Sequence, residues 1–195
     1  MIKHKLSPER HSLPHRKDSK FPFLLLSLSF FLGCIAGSLI GSFHDFDAAL
    51  SDFIGFSALE SSDFFYVFFN YSRFHIAAFL LGTSFFGVIC LPILCCVRGY
   101  ALSCTAATII SCYPGNGIVM ALVILGVPAV LSLPCFFIMS LDGFFNSRRI
   151  LNLVRGNFAP RVDNIYIRTI ACLPVLAAGT IIEMKLIPYL VSLLK

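Results

Sequence analysis

The sequence predicts an all-α fold, a polytopic integral membrane helical bundle of about five transmembrane helices, N-terminus cytoplasmic and C-terminus outside. Three observations carry this. Charged residues make up 13% of the 195 positions and hydrophobic ones 57%. A soluble domain has about a quarter charged residues, so too few charges remain here to coat a globule. Apolar runs recur at about 22–43, 74–97, 99–113, 117–141 and 167–194. Basic and acidic segments lie between and around these runs.

Residues 1–21 form a basic cytoplasmic tail with Lys3, Lys5, Arg10, Arg16, Lys17 and Lys20. A tail of this kind sets topology, and a second reading has it touching acidic head groups. Residues 22–195 form a single membrane domain, with no room for a sizeable soluble one. The first run, Pro22–Phe43, reads as an uncleaved anchor. FLGC, Phe31 to Cys34, faintly resembles a lipoprotein cleavage site, but the leucine three residues before the cysteine is missing and the run continues past it. Gly33, Gly37 and Gly41 stand one helical turn apart. That spacing strips side chains from one stripe and lets another helix backbone approach.

The outer loop, 44–73, carries Asp45, Asp47, Asp52, Glu60 and Asp63. Phe46, Leu50, Phe53 and Ile54 repeat at helical spacing, which predicts a short helix on the outer membrane surface. FFYVFFNY, Phe64 to Tyr71, forms an aromatic belt leading into the second run. The third run is short, about 15 residues or roughly 22 Å at 1.5 Å per residue, and charge decides whether it spans. The cytoplasmic loop, 142–166, and its edge carry Arg148, Arg149, Arg155, Arg161 and Arg168. The positive-inside rule puts these and the tail on the same side. An even number of crossings must separate them, so the third run spans and the fifth carries the C-terminus outside.

Pro92, Pro128, Pro134 and Pro174 interrupt the runs. Each removes a backbone hydrogen bond and tends to kink its helix. Kinked packing is favoured over a transport path, because no polar cluster accompanies them in the sequence. The eight cysteines lie in or beside apolar runs, with no CxxC pair and no histidine at ligand spacing. They read as small apolar side chains that permit close helix contact, not as a disulfide framework or metal site. No HExxH, GxSxG, phosphate loop or paired membrane aspartate occurs. Asp142 and Asp163 fall in the arginine loop, where solvent or an ion pair is the expected setting. The expectation is a protein that is not an enzyme, with no cofactor, metal or nucleic acid, in contact with the lipid bilayer.

The last run poses the sharpest question. Glu183 and Lys185 interrupt it and Pro188 breaks it. A charge at the centre of a membrane helix costs roughly 2.5–3.5 kcal/mol on insertion scales. Lys185 is placed to snorkel outward. At i and i+2 the two do not face each other, so Glu183 needs another partner. Arg73 and His75, at the outer start of the second run, are the candidates.

EMKLIP, Glu183 to Pro188, resembles the end of the stage II sporulation protein M family. FLLGTSFFGVICLPILCCVRGYALSCTAA, Phe79 to Ala107, resembles that family's glycine-containing span, hairpin and restart. PGNGIVMALVILGVPAVLSLP, Pro114 to Pro134, resembles its fourth span. The resemblance implies a five-span, multi-pass protein of the bacterial cell membrane without catalysis. Sporulation members help membranes migrate during engulfment and assemble with the peptidoglycan-degrading stage II sporulation proteins D and P. Glu183 and Pro188 match the family's terminal acid and proline, and Arg98 and Gly99 its hairpin. Lys185 and the cysteine load depart from the pattern. The function expected is a scaffold that recruits peptidoglycan hydrolases of the D and P type. The alternative is the membrane subunit of a transporter or permease.

Overall fold

A computed structural model describes residues 20–43, 64–112, 115–156, 171–182 and 184–185. These are helical, with no strand among the described residues. In chain order they form α1 (Lys20–Phe43), α2 (Phe64–Gly82), α3 (Gly87–Cys112), α4 (Gly117–Ala121), a π-helical turn (Leu122–Gly126), α5 (Val127–Val154) and α6 (Ala171–Ile182). Three stretches are long and apolar enough to cross a membrane: Lys20–Ser42, Gly87–Ser111 and Gly117–Val154. The protein is a helical membrane protein.

Several boundaries differ from those the sequence suggests. α3 runs unbroken through Val97, Arg98 and Gly99, so these residues do not form a hairpin. The chain reverses earlier, at Thr83–Phe86. There the Thr83 and Ser84 amides bond to the carbonyls of Phe79 and Leu81, both at 3.1 Å, and the Thr83 hydroxyl donates to Leu80. The run 74–97 therefore joins the end of α2 to the start of α3, and 99–113 is the second half of α3. Hydropathy misses this turn because Leu81, Phe85 and Phe86 keep it apolar. It dips at Arg98, whose charge is met inside the bundle. Residues 64–73 belong to α2, not to the outer loop. Residues 142–154 belong to α5, and Asp142 is buried there, not solvated. The surface helix expected near Phe46–Ile54 lies outside the described residues.

The contacts fix the helix directions. Gly33, Gly37 and Gly41 of α1 meet Cys96, Tyr100 and Cys104 of α3 in step, so these two helices run parallel. Tyr71 and His75 of α2 reach Pro128 and Ser132 of α5, and Gly82 meets Gly143, so these two are also parallel. α3 opposes α5, with Gly87 at Ser147, Leu91 at Gly143 and Arg98 at Ser132. α6 opposes α2 and α5: Cys172 touches Cys135, whereas Gly179 lies at Tyr71. The successive long helices thus alternate in direction.

The glycine stripe packs within the chain. A side-chain carbon added at Gly33 or Gly37 would run into the Cys96 or Tyr100 carbonyl, and one at Gly41 would lie 2.9 Å from the Cys104 carbonyl. Gly99 faces back, against the Phe30 carbonyl and 3.2 Å from the Cys34 sulfur. The outer side of α1 is different: Leu24, Leu28, Phe31, Ile35 and Leu39 are exposed, as a lipid-facing surface requires. Cys34, Cys96 and Cys104 line the α1–α3 seam, and Cys135 and Cys172 the α5–α6 contact. Their small size is what these contacts use. Each cysteine whose side chain is described is a free thiol.

Candidate functional site

Polar groups converge where α2, α3 and α5 meet. Tyr71 and His75 stand four residues apart on α2 and so share a face. Pro128 and Ser132 do the same on α5. The Tyr71 hydroxyl donates to the Pro128 carbonyl at 2.9 Å. His75 Nε2 lies 3.1 Å from the Ser132 carbonyl oxygen. A carbonyl only accepts, so Nε2 carries the proton. His75 is 1% exposed and Ser132 0%. From the middle of α3, Arg98 Nη2 donates to the Ser132 hydroxyl at 3.0 Å.

Phe74 is the apolar centre of this group. The Arg98 guanidinium lies 4.7 Å from its ring centroid and that of Arg73 5.0 Å. Such cation–π contacts contribute about 0.5–2 kcal/mol, more where water is excluded. The Phe136 ring meets His75 edge-on at 5.9 Å. The π-helical turn ends at Gly126, two residues before Pro128, whose ring and missing N–H cannot continue a regular ladder. Pro128 thus has a polar partner, Tyr71, that its sequence neighbourhood does not reveal.

The chemistry of the group is that of a fastening. Its side chains are donors aimed at neighbouring helices. Asp142 is the only acid among the described residues, and it lies ten residues beyond Ser132 along α5, about 15 Å. No grouping of His, Cys, Asp and Glu suited to a metal ion occurs among the described residues. A second fastening lies at the α2–α3 turn. Asn146 Nδ2 donates to the Gly82 carbonyl at 3.0 Å, Ser147 donates to the Ser84 carbonyl, and Gly82 packs on Gly143 with no side chain between them.

Of the residues singled out in the sequence, Arg73, His75 and Arg98 come together around Phe74. Gly33, Gly37, Gly41 and Gly99 lie apart from them, along the α1–α3 seam. Lys185 is exposed, as snorkelling requires. Glu183 and Pro188 lie outside the described residues. Tyr71, Phe74, Ser132 and Gly179 were not singled out. The available signal was the matched four-residue spacing of Tyr71–His75 and Pro128–Ser132. It was hidden by assigning Tyr71 to a loop.

α6 joins this region through Gly179. A side-chain carbon there would lie 2.5 Å from the Tyr71 hydroxyl oxygen, so the ring sits directly on the α6 backbone. Tyr71→Phe keeps that packing and removes the bond to Pro128. Its expected cost is about 1 kcal/mol, read as lower thermal stability of the purified protein. Unaltered stability would show that the bond contributes nothing.

A family model described as Stage II sporulation protein M matches residues 23–185, which is most of the chain. No curated protein and no solved structure matches it.

Proposed function

From the premise that the chain belongs to the stage II sporulation protein M family, we propose that it is a non-enzymatic membrane scaffold that recruits or positions peptidoglycan-remodelling proteins during engulfment. Family membership makes it a sporulation-related membrane protein. The observation that favours a scaffold is the direction of the buried polar groups: Tyr71, His75 and Arg98 are turned onto α5 and Phe74, where they hold helices in register.

In this reading five helices cross the bacterial cell membrane. The alternating helix directions support four crossings between the basic tail and the arginines of α5, with the Thr83–Phe86 turn on the cytoplasmic side. Single cysteines at positions 57 and 194, in a background stripped of native cysteines, are expected to react with an impermeant reagent in intact cells. Cysteines at 84 and 152 are expected to stay protected until the cells are opened. Labelling of position 84 in intact cells would contradict this arrangement.

Glu183 is the proposed partner of Arg73, with His75 as the other candidate. In the sequence it stands four residues after Gly179, the α6 residue that meets Tyr71. The pairing would set α6 against α2 and hold the outer face in shape. Pro188 would end the helix beyond it. Recruitment of wall hydrolases is expected to fall in Glu183→Ala and largely survive in Glu183→Gln, which keeps a hydrogen bond. Normal accumulation and recruitment in Glu183→Ala would refute the pairing. The transporter reading is favoured by the prolines within the runs and by Glu183, and it makes Glu183 an ion or proton site. Proton-coupled uptake lost selectively in Glu183→Gln would establish that reading instead.

A further inference from the structure

α5 continues beyond the α2–α3 turn at one end. Ser147 makes a hydrogen bond to the α2–α3 turn, and the helix continues to Val154. That adds about 10 Å at 1.5 Å per residue. It closes on Gly156, whose φ of 77° suits glycine. The projecting stretch, RRILNLVRG, holds Arg148, Arg149 and Arg155 and no acid.

Cations at a helix C-terminus offset the dipole, and arginines near a membrane set topology. Neither effect accounts for two further observations. Leu153 and Val154 on the projecting stretch are 51% and 76% exposed. Phe85 and Phe86, on the turn at the same end, are both exposed with ring centroids 3.9 Å apart.

A phospholipid surface answers both. Its head-group phosphates take paired N–H donors from arginine, its interface accepts aromatic rings, and its acyl region covers exposed leucine and valine. A soluble acidic partner would match the charges but leave the apolar side chains without cover. We propose that this end of the bundle is a seat for anionic phospholipid head groups, with Arg149 donating to the phosphate and Arg148 and Arg155 flanking it. The seat rests on the membrane reading of the chain and not on which leaflet it faces.

The test uses the full-length protein in neutral detergent, with retained lipid counted by native mass spectrometry. Wild type is expected to retain phosphatidylglycerol in preference to phosphatidylcholine. One arginine at an anionic surface corresponds to about five-fold in binding. Arg149→Gln is therefore expected to cut phosphatidylglycerol retention about five-fold while leaving phosphatidylcholine unchanged, and Arg148→Gln with Arg155→Gln to cut it further. Arg149→Lys, a milder change that guards against misfolding, keeps the charge but not the fork and should fall between. Full preference in the triple variant would overturn the proposal. So would loss of preference only when Lys3, Lys5, Arg10, Arg16 and Lys17 are replaced by glutamine, or displacement of the lipid by inorganic phosphate at equal concentration. Release of the protein from membranes by alkaline extraction would contradict the membrane reading itself, which keeps the two failures distinct.

Discussion

Gly37→Leu is expected to force α1 away from α3. The Tyr100 carbonyl already occupies the space a first side-chain carbon needs, and the flanking contacts at Gly33 and Gly41 prevent a local adjustment. Overpacking typically costs about 1–3 kcal/mol, and a leucine against backbone belongs at or beyond the upper end. That is a large share of the roughly 5–15 kcal/mol that holds a folded domain. Gly37→Ala supplies the sharper sign test. On a helix face open to lipid, alanine is favoured over glycine by roughly 0.5–1 kcal/mol. On this seam alanine is expected to destabilise. Thermal unfolding of the purified protein measures both, and a rise in stability for Gly37→Ala would show that the stripe is not packed.

Arg98→Lys is expected to be worse than Arg98→Leu. Both lose the guanidinium contacts with Ser132 and Phe74. A hydrogen bond to a charged group contributes about 1.5–3 kcal/mol, and the ring contact adds to it. Lysine also keeps the cost of a cation inside the bundle, roughly 2.5–3.5 kcal/mol on insertion scales, without the planar fork that offsets it. Leucine removes that cost. The lysine variant should lose about 2–3 kcal/mol, and the leucine variant less, while loosening α3 against α5. The reverse order in thermal unfolding would mean that Arg98 works as a point charge paired with an acid.

The parts of this fold that were legible in the sequence rest on side-chain chemistry that repeats. The scarcity of charge identified a membrane protein. The four-residue glycine spacing identified a packing face, although only the structure shows that α3 of the same chain fills it. The cysteines read correctly as small side chains. What failed was location of the turn. Hydropathy averages side chains, whereas a turn is made by the backbone, and Gly82 to Gly87 reverses the chain without becoming polar. Arg98 misled in the opposite sense: a lone cation resembles a loop until Ser132 and Phe74, distant in sequence, are seen beside it. The same long-range meeting hid Tyr71 and Ser132. The question raised by Glu183 keeps its proposed answer, with Gly179 on Tyr71 as the contact that brings α6 to α2.

Capture of partners by crosslinking in sporulating cells bears most directly on the scaffold. A photo-crosslinker at position 57, in the outer loop, is expected to trap peptidoglycan-degrading proteins of the stage II sporulation D and P type. The yield should fall when Gly37→Leu disrupts the α1–α3 seam. Absence of any wall-degrading protein from the captured material, with the protein folded and present at normal levels, would contradict a recruiting role.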